Sequence, residues 1–119
     1  MRRNTSFNPE DYLQHILDEI EILLEISKKL NEKGFYKDMF LKRTAERCFE
    51  IIGEATKSIS KEIKDANPDI PWKDMAGMRD VVIHNYFYVD YEMVWRTMKE
   101  DIPILKKQIK KLKKKLKNV

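Results

Sequence analysis

One cysteine, two histidines, three glycines and four prolines are few for 119 residues. Each shortage excludes something. A single thiol, Cys48, can neither close a disulfide within the chain nor build a cysteine-based metal cage. So few glycines and prolines leave too few turn formers for a strand-rich fold. No apolar run approaches the roughly 20 residues that span a bilayer. No apolar segment follows Met1–Ser6 in the way a secretory leader requires. The expectation is a soluble, cytoplasmic protein without a membrane partner. Acid is missing from one stretch: residues 106–117 hold eight lysines and no Asp or Glu. Elsewhere sixteen basic residues face 20 acidic ones, so the net charge of +4 belongs to the C-terminal end. A globally basic domain that coats nucleic acid is therefore excluded.

What is present is apolar residues at helical spacing, 42% hydrophobic overall. A chain of this length is expected to form one domain, residues 1–119, able to bury a core without staples, with a lysine-rich extension over about 106–119. Asn8-Pro9-Glu10-Asp11 is a helix start: a cap, a proline at the first position and acids at the positive end. Leu13, Ile16, Leu17, Ile20, Leu23, Leu24 and Leu30 then form one face of a long helix, ended by Lys33-Gly34. Ile22 and Ile26 add a second strip, expected where a helix meets more than one neighbour or another subunit. A second long helix is expected from about Tyr36 to Asp65, with Leu41, Ala45, Cys48, Ile52, Ala55, Ile59 and Ile63 as its stripe. Mid-helix Gly53 points to close approach of another backbone. Arg43, Arg47, Glu50 and Glu54 lie on a different face and read as a solvated, salt-bridged surface.

Pro68 and Pro71 break the chain, and a shorter helix is expected from Trp72 to Ile83. Residues 85–90 form another break. Asp90 caps a last helix carrying Tyr91, Val94, Trp95, Met98, Ile102, Leu105, Ile109, Leu112 and Leu116, kinked or restarted at Pro103. Strands at Val81–Ile83 and Tyr86–Val89 would have nothing to pair with. The expected fold is all-α: a bundle of about four main helices, two of them long and antiparallel, plus a short motif helix and a C-terminal helix.

Chemistry concentrates at Met78-Arg79-Asp80-Val81-Val82-Ile83-His84-Asn85-Tyr86. At about 100° per residue, Arg79 and His84 point some 140° apart on a straight helix. Two arrangements bring them together: the helix ends near His84, or a two-fold axis brings in a second copy. Histidine can remove the proton of an RNA 2′-hydroxyl near neutral pH. Arginine can hold the non-bridging phosphate oxygens. No His, Cys or carboxylate set at ligand spacing surrounds His84, so no metal is expected. The competing reading is structural: His84 at a helix C-terminus, Arg79 paired with an acid, Tyr86 half-buried. His15 and Cys48 read as scaffold. The lysine run reads as a solvated face, with RNA or an acidic partner second.

Arg79-x4-His84-x-Tyr86 resembles the signature of HepT-like proteins, a branch of the HEPN superfamily. The flanks agree: Ile52-Gly53-Glu54-Ala55, Ile70-Pro71-Trp72, Gly77-Met78-Arg79, Val89-Asp90 and Val94-Trp95. The resemblance runs from about residue 10 to 110. It implies the HEPN helical fold and a homodimer whose two motifs face each other across a cleft. It implies a metal-independent ribonuclease toxin of a type VII-like toxin–antitoxin pair. The antitoxin, an MNT-type nucleotidyltransferase, would transfer AMP from ATP to Tyr86. No cofactor would belong to this chain, because the partner uses the ATP. By position, Arg79 would bind the scissile phosphate, His84 would be the general acid/base and Asp80 would support catalysis. AMP on Tyr86 would place a bulky anion where RNA phosphates must sit. The alternative is a non-catalytic helical subunit that holds substrate or nucleotide for a nucleotidyltransferase.

Overall fold

The computed structural model describes residues 8–85 and 88–118, with side chains outside 81–88. Its elements, in chain order, are α1 (Pro9–Lys29), α2 (Glu32–Lys37), α3 (Met39–Lys57), α4 (Lys61–Ala66), α5 (Trp72–Ala76), α6 (Met78–Val82), β1 (Ile83–Asn85), β2 (Tyr88–Val89), α7 (Tyr91–Glu100) and α8 (Ile102–Lys117). The fold is an all-α bundle with one short hairpin.

α1 begins as its sequence requires. Asn8 Oδ1 accepts from the Asp11 amide at 3.1 Å, and Asp11 Oδ2 accepts from the Asn8 amide at 3.2 Å. This reciprocal pair satisfies two of the amides that a helix start leaves without partners. Leu13, Ile16, Leu17, Ile20, Leu23 and Ile26 are buried, and α1 packs against α3, α7 and α8. Of the second strip, Ile26 joins the core while Ile22 is 40% exposed. Glu19 lies beside Cys48, and Ile22 shares a groove with Phe40, so α1 and α3 run in opposite directions.

Several expected helices are subdivided. The first ends at Lys29 rather than at Gly34. Gly34 lies inside α2, where Asn31 Oδ1 accepts its amide hydrogen at 2.8 Å. A Cβ at Gly34 would stand 3.1 Å from that oxygen, so the glycine makes room for the cap. The expected helix from Tyr36 to Asp65 is α3 and α4. Asp38 caps α3, accepting from the Leu41 amide, and Ser60 caps α4, accepting from the Ile63 amide. Both caps lie within the apolar periodicity, which continues across the break through buried Ile59. Pro103 marks a restart, at the first turn of α8.

The expected helix from Trp72 to Ile83 is α5 and α6, and it stops at Val82. The two strands judged unable to pair do pair, with each other. Ile83 opposes Val89 and Asn85 opposes Tyr88, antiparallel, with a shift of register between the two pairs. The sequence expectation weighed each strand alone, whereas a hairpin supplies its own partner at short range.

Buried apolar residues from α1, α2, α3, α5, α6, α7 and α8 form one contiguous cluster. Among the described residues, no helix is long and apolar enough to cross a membrane.

Candidate active site

Two anchored segments hold the motif. The first is α5–α6. Its leading loop is pinned by buried Ile70 and Trp72, and the Trp72 indole donates to the Asn67 carbonyl at 3.0 Å. α6 then lies against α3 at Gly53. A Cβ there would meet the Ala76 carbonyl oxygen at 3.2 Å and the Arg79 amide nitrogen at 3.3 Å. Glycine is the residue that lets these backbones approach so closely. The close approach expected of Gly53 is therefore to the segment that carries Arg79.

The second anchor is α7. Asp90 caps it, accepting from the Met93 amide at 3.0 Å. The Tyr91 hydroxyl donates to Glu46 of α3. The Lys42 ammonium sits 4.7 Å from the Tyr91 ring centre, and Phe35 packs against both Tyr91 and Trp95. Burial, together with the Glu46 carboxylate, pushes the Tyr91 hydroxyl up to about 12. The hairpin is thus held at both ends against α3, by Gly53 on one side and Glu46 on the other.

Arg79 lies on α6, its side chain about half exposed, with Nη1 3.2 Å from Glu54 Oε1. Guanidinium has five N–H donors, so one contact leaves others for a phosphate. Both side chains are more than half exposed, 53% and 56%, so the pair holds Arg79 only weakly. Glu54 is the residue that sequence reasoning assigned elsewhere. It read as part of the face with Arg43, Arg47 and Glu50. The structure joins Arg47 to Glu50 at 3.5 Å but turns Glu54 toward Arg79. The available signal was adjacency: Glu54 follows the glycine that seats Arg79.

Asp80 is exposed on α6. His84 is placed by its backbone in β1, two residues beyond the end of α6. Of the two arrangements that could bring Arg79 and His84 together, the helix end is thus present in the chain itself. Tyr86 lies outside the described residues.

His15 is exposed on α1, with its ring edge-on to Tyr12 at 6.5 Å. Cys48 is 1% exposed in the core, where burial, with Glu19 second, pushes its thiol well above the usual range. Both belong to the scaffold, far from nucleophilic chemistry. Among the described residues, no cluster of three His, Cys, Asp or Glu side chains is placed to hold a metal ion.

Comparison with known proteins agrees with this arrangement. The family model "Ribonuclease HepT-like" matches residues 16–112. A candidate RNase of Caldanaerobacter subterraneus subsp. tengcongensis is 46% identical over 104 residues, covering 87% of this chain and 93% of that protein. A probable ribonuclease HepT of Thermococcus cleftensis is 44% identical over 105 residues, 88% of this chain and 96% of that protein. A candidate RNase of Methanocaldococcus jannaschii is 42% identical over 101 residues, 85% of this chain and 84% of that protein. No solved structure matches the chain. The matched span covers the bundle and the whole motif, and the chain belongs to the HepT-like ribonuclease family of the HEPN superfamily.

Proposed function

We propose that this chain is the toxin of a two-component pair, a metal-independent endoribonuclease controlled at Tyr86. His84 takes the proton from an RNA 2′-hydroxyl. The freed oxygen attacks the adjacent phosphorus, and the bond to the 5′-oxygen breaks. That oxygen leaves with a proton returned by the acid form of histidine, giving a 2′,3′-cyclic phosphate and a 5′-hydroxyl. Arg79 binds the non-bridging oxygens and offsets the charge that develops on them. Asp80 supports the arginine segment. The observation that carries this reading is the end of α6 at Val82, between Arg79 and His84. An unbroken helix would hold the two groups on different faces.

The partner in this reading is an MNT-type nucleotidyltransferase antitoxin that spends ATP to place AMP on Tyr86. The added phosphate opposes RNA phosphates by charge and by bulk. The working form is a homodimer with its two motifs across a cleft, acting on RNA in the cytoplasm without a cofactor of its own.

Expression of the chain alone arrests growth in this reading. Arg79→Ala and His84→Ala each abolish the arrest while circular dichroism keeps the helical signal. An active His84→Ala protein sinks the catalytic assignment. Tyr86→Phe blocks AMP addition by the partner, and AMP found by mass spectrometry on another residue of that variant overturns the switch.

A further inference from the structure

The exposed face of α3 carries an ordered charge pattern that nothing within the chain explains. Phe40, Arg43, Arg47, Glu50 and Glu54 fall within about 80° of one another around the helix, at about 100° per residue. The N-terminal half of this face is positive and the C-terminal half is negative. That order opposes the helix dipole, which favours acid at the start and base at the end, and α3 has no acid in its first turn. The face also leaves apolar surface uncovered. Phe40 is 84% exposed, Met39 54% and Ile22 on the adjoining α1 40%. Ile22, Phe40 and both arginines line a shallow groove of about 460 Å³ between α1 and α3.

A two-fold axis makes such a face complementary to itself. In an isologous contact, residue i meets j while j meets i. The midpoint between Arg43 and Glu54 is also the midpoint between Arg47 and Glu50. One axis across α3 at Cys48–Phe49 therefore sets Arg43 opposite Glu54 and Arg47 opposite Glu50, twice each. It also sets Phe40 opposite Lys57, whose stem and ammonium can cover the ring. Glu54 is the residue that holds Arg79 at 3.2 Å. We propose that two copies of this chain pair antiparallel through the exposed face of α3, so that Arg43 of each copy offsets Glu54 beside the Arg79 of the other. The carboxylate that positions Arg79 also repels an approaching phosphate. The second copy's arginine cancels that repulsion and adds a cation to the site. The two Glu54 positions stand about 16 Å apart along the helix direction at about 1.5 Å per residue. The interface stands on α3 alone; the contribution of Arg43 to catalysis rests on the nuclease reading above.

Charge exchange tests the interface without touching Arg79 or Glu54. Arg47→Glu sets acid against acid, and Glu50→Arg sets base against base. Each variant alone is expected to self-associate at least about 100-fold more weakly in sedimentation, since facing like charges cost several kcal/mol. Mixed in equal amounts, the two variants form a heterodimer, and the Arg47→Glu/Glu50→Arg double variant pairs with itself. Singles that dimerise like wild type, or a mixture that stays monomeric, overturn the interface. Arg43→Gln, assayed where it is dimeric, raises KM for RNA about tenfold with a smaller change in kcat. An unchanged KM overturns the role of Arg43. A wild-type dimer that does not cleave RNA refutes the nuclease reading and leaves the sedimentation result to decide the interface.

Discussion

Replacing Gly53 by alanine separates the stability of the bundle from the placement of Arg79. The new methyl lies 3.2 Å from the Ala76 oxygen and 3.3 Å from the Arg79 nitrogen. Both neighbours are backbone atoms, so α6 must move outward by a few tenths of an ångström. Two effects on stability oppose each other. Alanine gains about 0.8–1.0 kcal/mol of helix propensity over glycine. Overpacking costs about 1–3 kcal/mol. The net change is expected between about zero and 2 kcal/mol of destabilisation. Activity has no such compensation. A displacement of about 1 Å at a catalytic group can cost about 100-fold, so a few tenths should lower RNA cleavage by about 3- to 10-fold. Gly53→Val adds two more carbons and a β-branch against the same backbone. It should lose about 3 kcal/mol and more than about 100-fold in rate, on the same grounds. Urea denaturation and single-turnover cleavage measure the two quantities on one protein sample. A valine variant with wild-type stability and rate would refute the seating of α6 on Gly53.

Glu54→Ala removes the residue that holds Arg79. Its unfolding free energy should shift by less than about 1 kcal/mol, because the pair is exposed, while kcat falls about tenfold; an unchanged kcat would mean that Arg79 is placed by its backbone alone. Tyr36 and Tyr91 are both pushed up to about 12, chiefly by burial and then by Glu32 and Glu46. Their neutral forms are favoured in the fold, so their contribution to stability is full below about pH 10 and is lost as pH rises toward 12. Absorbance titration should show these two of five tyrosines ionising late, and normal titration of all five would contradict the packing of α7 on α3. The Cys48 thiol should resist thiol reagents at pH 8 in the folded protein and react once in denaturant; rapid reaction in the native state would show that the α1–α3 seam opens.

The bundle was legible in the sequence where local signals and apolar period coincide. Asn8-Pro9 gave the start of α1, and the stripe from Ala45 to Ile59 gave the buried side of α3. Breaks were harder to see where a cap falls between two apolar residues that both reach the core. Ser60 interrupts the helix while Ile59 and Ile63 keep the period, so α3 and α4 read as one. The hairpin escaped because each strand was weighed as an isolated element. The role of Gly53 was legible as close approach, but which backbone approaches is a tertiary fact. Glu54 was misassigned for the same reason: a helical face shows which residues are neighbours on α3, and Arg79 reaches it from 25 positions away. At the motif, the angular mismatch between Arg79 and His84 was itself informative, because it required the helix end that the structure shows at Val82.

The central claim is that Arg79 and His84 cleave RNA without a metal ion. The most direct measurement is incubation of purified chain with single-stranded RNA in excess chelator, followed by mass spectrometry of the ends. The account predicts cleavage that survives the chelator, products ending in 2′,3′-cyclic phosphate and 5′-hydroxyl, and no products from His84→Ala. Cleavage that stops with the chelator, products ending in 5′-phosphate, or an equally active His84→Ala protein would contradict it.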